Sequence, residues 1–404
     1  MSNKIIVCQT GSRHRYLVPK VFENAGLLCR LYTDSTTHSF VGRLAKLCQK
    51  IGLNSPGLKR LEKRNPGIPK SKLYTTDVLF IKDKLLALIP NSYEKRLFLL
   101  YSGFEHRCVK WGVGEADCIY SMYFENMEFL RFAKSKGLKI VIDIFETPSM
   151  FINLLQEMDE HEEYAQYREL RRTYEIKHKI RMHYIEDALA LADYYTVPSK
   201  FVIKHLHEFK NFDEKKVIFQ PYASSVTVSE YNYRPKKHKL IFVGNGSVGK
   251  GVLYCAKAAT ILKQKYPDLE FLMIGSDMEA LYDNPTFKDV KFTGVVDKER
   301  LIEEYSTAEA YVFPTLYEGF AGTIIEAASC GCPIITTESS GADPDVFPAL
   351  FIPRKNVDAI VNSVMRIFED SSFRDQMSLK TYEYAKSLSP QSYSNSIIKH
   401  FIEI

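Results

Sequence analysis

No run of about 18 uncharged apolar residues occurs in the chain, so the sequence offers no membrane-spanning helix. Near the N-terminus the apolar stretch is confined to Ile5–Cys8 and its flank, too short for a signal-peptide core. It reads better as a first buried strand, and the expected location is the cytoplasm. The 8 cysteines, at positions 8, 29, 48, 108, 118, 255, 330 and 332, form no CxxC pair with downstream His or Cys at zinc spacing. That excludes a zinc cage and gives no disulfide framework. Cys330 and Cys332 lie in an apolar segment and read as small buried residues. Tandem repeats and low-complexity tracts are absent as well.

What is present is ordinary in bulk and uneven in charge. The 404 residues, 45% hydrophobic and 25% charged, exceed what one hydrophobic core usually serves, so two domains are expected. The net charge of +5 divides into +9 over residues 1–205 and −4 over the rest. Residues 43–72 carry nine basic side chains (Arg43, Lys46, Lys50, Lys59, Arg60, Lys63, Arg64, Lys70 and Lys72) against one acid, Glu62. Leu44, Leu47, Ile51, Leu53, Leu58 and Leu61 alternate with them, as in a helix lying on an anionic membrane surface. The competing reading is a solvated basic face over a core stripe. No nucleic-acid partner is expected.

Apolar runs alternate with helical patterns along most of the chain. The runs are Lys4–Cys8, Cys118–Ser121, Lys139–Ile144 and Tyr194–Val197, then Leu240–Val243, Glu270–Ile274, Val290–Phe292, Ala310–Phe313 and Pro333–Thr336. Helical stretches such as Val252–Lys265, Lys298–Ser306 and Gly322–Ser329 fall between them. This rhythm predicts an α/β fold with parallel sheets. Residues 151–190 read as one long polar helix. The polar Tyr231–Lys239, with Pro235, precedes a fresh strand and marks the start of a second domain.

Two segments could carry chemistry. In YEGFAGTIIEAASCGCPIITTESS (317–340), Glu318 and Glu326 flank a glycine-bearing turn and a helix start. Gly319 and Gly322 permit close backbone approach, and the amides around Ala321–Ile324 would open a helix N-terminus suited to phosphate. Glu326 could accept two hydrogen bonds from a ribose diol, and Glu318 could meet a sugar. In LIFVGNGSVGKG (240–251), Gly244, Gly246 and Gly249 spell a weak dinucleotide fingerprint. Asp277 follows the next strand too late to grip a ribose comfortably. The better reading has Lys250 reaching phosphates while the loop amides cradle them.

These residues carry a resemblance. FVGNGSVGKG (242–251), FTGVVDKERLIEEYSTAEAYVFPT (292–315), YEGFAGTIIEAASCGCPII (317–335) and GADPDVFPALFIPRKNVDAI (341–360) resemble, in order, the C-terminal domain of retaining glycosyltransferases of family 4. The third segment matches that family's E-x7-E signature. The resemblance implies the GT-B fold, with two Rossmann-like domains whose parallel sheets face each other across a cleft. Residues 1–215 would form an acceptor-binding domain and residues 216–388 a nucleotide-sugar-binding domain. The last helix, in residues 389–404, would cross back to the first. It implies that Glu318 contacts the transferred sugar, Glu326 the ribose and Lys250 the diphosphate. Val295 would meet the base through its backbone, and Phe320, Ala321, Gly322 and Thr323, with Gly319, would line the sugar-phosphate. Gly11, in QTGSRHR, sits where the family has a glycine loop facing the donor.

Three departures stand out. Asn245 replaces an arginine common after the first strand of that domain, and Arg13 or Arg15 could compensate from across the cleft. VIDIFETP puts Phe145 where the family often has histidine, leaving Asp143 or Glu146 to do similar work. Asp343 and Asp345 spell a DxD, but at the family's metal-free turn. The expectation is therefore a metal-independent, retaining hexosyltransferase without cofactor. It would use Glu318, Lys250 and Glu146 on a nucleotide-sugar donor and a glycan or lipid-linked acceptor, building surface polysaccharide or glycolipid at the inner membrane face. A non-catalytic nucleotide-sugar-binding subunit and a nucleotide-sugar epimerase remain alternatives on the same fold.

Overall fold

The computed structural model of the protein describes residues 3–52, 56–90, 92–226 and 230–404, apart from the side chains at 56, 59, 60, 166, 168 and 169. Leu53 and the side chains of Lys59 and Arg60 thus lie outside the described residues.

Two parallel sheets form. The first joins β1 (Ile5–Cys8), β2 (Leu28–Thr33), β3 (Leu73–Thr75), β4 (Cys118–Met122), β5 (Lys139–Asp143), β6 (Tyr194–Val197) and β7 (Val217–Phe219), in the order β3-β2-β1-β4-β5-β6-β7. The second joins β8 (Lys239–Val243), β9 (Glu270–Ile274), β10 (Lys291–Gly294), β11 (Ala310–Phe313), β12 (Ile334–Thr336) and β13 (Leu350–Phe351), in the order β10-β9-β8-β11-β12-β13. Parallel pairing requires crossover helices that cover both sheet faces, which is why inner strands such as IIVC and KLIFV are buried throughout. Four strands escape the sequence reading. β3, β7 and β13 are edge strands of two or three residues, too short to form an apolar run. β2 (LCRLYT) is interrupted by Arg30, whose guanidinium donates to Tyr32 Oη (3.0 Å) and to the Trp111 carbonyl (2.9 Å).

The expectation of one helix across 151–190 is corrected. A helix at Met150–Glu160 is followed by a 3-10 turn at Glu162–Tyr167 and a helix at Arg168–Leu191. His161 between them is extended (φ −133°, ψ 113°), and this turns the chain so that Tyr164 and Tyr167 enter the second core. Two segments thus pack against the core of the opposite half. Phe151, Leu154, Leu155, Met158 and Tyr174 pack with the second sheet. Tyr393, Ile397 and Phe401, on the Pro390–Glu403 helix, pack with the first. That helix begins with Pro390 in its first turn and the Ser389 hydroxyl accepting from the Ser392 amide (3.1 Å), a strong start signal. The first sheet runs to Phe219, a little past residue 215, and the second starts at Lys239.

In the basic segment, Ser39 caps a helix at Phe40–Lys50. Phe40, Leu44, Leu47 and Ile51, spaced as one helical stripe, are 61, 49, 58 and 68% exposed, so this stripe faces outward and is not core. Among those of the nine whose side chains are described, Arg64 is paired with Asp34 and Lys72 with Glu23. No helix among the described residues is long and apolar enough to cross a membrane.

Candidate functional site

Each sheet reverses its strand order once, at β1/β4 in the first and at β8/β11 in the second. In open α/β sheets the crevice beyond the strand ends at such a point is where ligands bind. Here the two crevices face each other. Loops following β1, β5, β8 and β11 line a cleft of about 430 Å³ between the domains.

The second domain supplies one wall. At Gly246 and Gly251 the 244–251 loop is packed too tightly for a side chain. Gly251 has φ +73°, and a Cβ on it would lie 2.1 Å from the Pro314 carbonyl oxygen. This places Lys250 at the head of the cleft, its ammonium ion-paired with the Glu318 carboxylate. Burial draws Lys250 down to about 8 from the ordinary lysine value. Gly319 closes the wall. A Cβ there would fall 1.6 Å from the Phe145 carbonyl oxygen, so only glycine lets the loop touch the opposite domain. The Ser199 hydroxyl donates to the Gly319 carbonyl at 2.5 Å, fixing that contact.

The first domain supplies the other wall, and its chemistry is cationic. Arg13 lies 3.4 Å above the centre of the Phe145 ring, with Nε 3.2 Å from Asp143 Oδ2 and Nη2 donating to Tyr222 Oη (3.0 Å). The Phe145 ring is thus the platform for a guanidinium. Arg181 lies 3.3 Å over Phe124 and pairs through Nε with Glu146 Oε1 (2.6 Å), which also accepts from Tyr123 Oη (3.0 Å). His14 stacks at 4.3 Å on Tyr222, whose ring stands edge-on to Phe320 at 6.3 Å. Burial and Arg13 push the His14 imidazole down to about 3, so it is neutral at physiological pH. His14, Arg15 and Tyr16 all have positive φ (44°, 53° and 61°). Such left-handed residues cost about 1–3 kcal/mol each and concentrate where a site over-determines its backbone.

Of the residues singled out in the sequence, Arg13, Phe145, Glu146, Asn245, Lys250, Glu318, Gly319 and Phe320 line this cleft. Gly11, Val295, Ala321, Gly322, Thr323 and Glu326 are not in its lining. Gly11 (φ +77°) holds the turn after β1, its amide donating to Asp34 Oδ1 (3.1 Å). Val295 is 76% exposed beyond β10. Ala321 caps the Gly322–Ser329 helix, and its amide donates to the Ser340 carbonyl (2.8 Å). Thr323 accepts from Tyr311 Oη through its hydroxyl (2.7 Å). Glu326 accepts from the Ser225 hydroxyl, and burial raises its pKa while Arg15 and Lys298 oppose the rise. Asp343 and Asp345 are both engaged by Lys200, at 2.8 and 3.3 Å. His14, Lys177, Arg181, Tyr174 and Tyr222 also line the cleft and were not singled out. Tyr174, Lys177 and Arg181 share one helical face, a spacing visible in sequence only to a reader who knew which way that face turned.

Comparison with known proteins agrees with this fold. Residues 237–370 match the family described as glycosyl transferases group 1. The O-antigen chain mannosyltransferase B of Escherichia coli is 29% identical over 113 residues, 28% of this chain and 30% of that protein. The UDP-Gal:alpha-D-GlcNAc-diphosphoundecaprenol alpha-1,3-galactosyltransferase of Escherichia coli is 25% identical over 171 residues, 38% of this chain and 42% of that one. The chain thus spans less than half the length of these curated relatives. Sucrose-phosphate synthase from Thermosynechococcus elongatus superposes with a TM-score of 0.65 at 18% identity, covering 99% of this chain and 98% of that one. The whole chain has the two-domain GT-B architecture, and residues 237–370 carry the signature of the glycosyl transferases of group 1.

Proposed function

We propose that the protein transfers a sugar from a nucleotide-sugar donor to a hydroxyl of a glycan or lipid-linked acceptor, as a family 4 glycosyltransferase that retains the anomeric configuration. The observation that carries this reading is the meeting of Lys250 and Glu318 with the cationic wall of the other domain at two opposed switch points. The group 1 match and the activities of the relatives support it.

The chemistry follows from charge. The bond between the anomeric carbon and the diphosphate oxygen breaks, and the acceptor oxygen bonds to that carbon on the same face. The acceptor's proton passes to the leaving diphosphate. Negative charge grows on the phosphate, where Lys250 answers it, and positive charge grows on the ring, where Glu318 does. Glu326 holds the ribose. Glu146 acts by holding Arg181 in place, since its Oε1 is committed to that guanidinium and to Tyr123. No divalent ion is needed in this scheme: Lys250 carries the cationic role, and Lys200 occupies the Asp343–Asp345 pair.

The reaction takes place at the cytoplasmic membrane face, in surface polysaccharide or glycolipid synthesis. The support is the outward stripe Phe40, Leu44, Leu47 and Ile51 with Arg43, Lys46 and Lys50 beside it. Thermal-shift screening against UDP-, GDP-, dTDP- and ADP-sugars, then turnover of the stabilising donor with and without EDTA, tests the proposal. Stabilisation by one donor class and EDTA-resistant turnover are expected. Stabilisation by none overturns it.

A further inference from the structure

Among the described residues, one cation in the cleft lining has no ion-pair partner. Arg13 is matched by Asp143, Arg181 by Glu146 and Lys250 by Glu318. Lys177, one helical turn before Arg181 on the Arg168–Leu191 helix, has no carboxylate partner among the described residues and is half-buried in the cleft lining. Its ammonium stands 5.4 Å from the centre of the Phe151 ring, and the Arg181 guanidinium 5.9 Å from that same ring. Holding an unpaired ammonium beside a guanidinium, away from bulk water, costs free energy unless an anion joins them. Burial and Arg181 both push the Lys177 pKa down, and Glu146 alone opposes them.

We propose that Lys177, with Arg181 behind it, is a binding site for a phosphate or diphosphate group carried by the acceptor substrate. The placement favours the acceptor over the donor as the source. Lys250, the glycine loop and the helix start at Gly322 belong to the second domain, whereas Lys177 stands beside Arg181, which Glu146 and Phe124 hold against the first domain. Lys177 also brings the charge that the Lys250–Glu318 pair, neutral as a unit, does not offer. The inference rests on the sugar-transfer reading for the word acceptor. The anion site itself stands or falls separately.

The test uses the full chain and inorganic pyrophosphate as probe, titrated calorimetrically into protein saturated with the nucleoside diphosphate that stabilises it most. Parent protein should bind the probe, more weakly at high salt. K177Q should lose at least tenfold in probe affinity while holding nucleoside diphosphate within about twofold, and K177R should restore the probe. K250A should show the opposite pattern. No probe binding to the nucleotide-loaded parent overturns the proposal. So does equal loss of nucleotide and probe in K177Q, which would assign Lys177 to the donor's phosphates. If no nucleotide binds at all, the sugar-transfer reading fails. Loss of pyrophosphate from free K177Q but not from free K250A would then still establish the site.

Discussion

Lys250 and Glu318, 68 residues apart and on separate loops of the second domain, form an ion pair at the head of the interdomain cleft. The pair ties the two charges the proposed reaction needs into one unit. A donor diphosphate arriving at Lys250 must share or displace the Glu318 carboxylate, which frees that carboxylate for the sugar.

A pH dependence follows. With Lys250 drawn down to about 8, its ammonium is lost as pH rises through that value, so donor affinity should fall between pH 7 and 9. A bound diphosphate favours the charged form and raises the pKa, so binding near pH 8 should take up protons. Calorimetry in buffers of different ionisation enthalpy measures this. Removing the neighbouring carboxylate in E318Q should move the falling limb to lower pH. Affinity independent of pH across this window would detach Lys250 from the diphosphate.

Closure of the two domains depends on Gly319. A methyl group there meets the Phe145 backbone, which is not free to move because Arg13 stacks on the same residue. G319A should lower the thermal midpoint, costing about 1–3 kcal/mol as overpacking does, and should depress turnover further by holding the walls apart. A variant as stable and active as the parent would show that the walls need not touch.

Glu326 should matter to nucleotide affinity and little to folding. Losing charge-assisted bonds to a ribose diol costs about 1.5–3 kcal/mol, so E326Q should weaken nucleoside diphosphate binding at least tenfold with an unchanged melting curve. Because Glu326 accepts from Ser225, S225A is a milder companion. Unchanged affinity in E326Q would remove it from the donor site.

The outward stripe should bind anionic bilayers. Vesicles containing anionic lipid should sediment the protein at low salt and release it at high salt, where screening shortens the Debye length. L44E/L47E should abolish binding, and R43Q/K46Q/K50Q should remove its lipid-charge dependence. Arg64 is a poor probe because Asp34 already holds it. Binding that ignores both sets of substitutions would make this a solvated face.

Much of the architecture was legible because most inner parallel strands are apolar over nearly their whole length, β2 with its Arg30 excepted. Glu270–Ile274 and Ala310–Phe313 coincide with β9 and β11 to the residue. Edge strands two or three residues long left no such trace. The second-domain wall was legible through its glycines and acids, which lie close together in sequence. The opposing wall was not. Lys177 and Arg181 sit in a helix that reads as solvated, and their function depends on how that helix lies between two cores. The exposed stripe from Phe40 to Ile51 could have been core or surface on spacing alone, and burial decides for surface.

Turnover of the stabilising nucleotide sugar by K250A and E318Q, with nucleotide affinity measured separately, tests the central claim most directly. K250A should lose about 10²–10³-fold in kcat, as for one preorganised donor facing developing charge. E318Q should lose kcat with a smaller effect on nucleotide affinity, because its partner is the sugar. If both variants turn over like the parent, sugar transfer does not take place in this cleft.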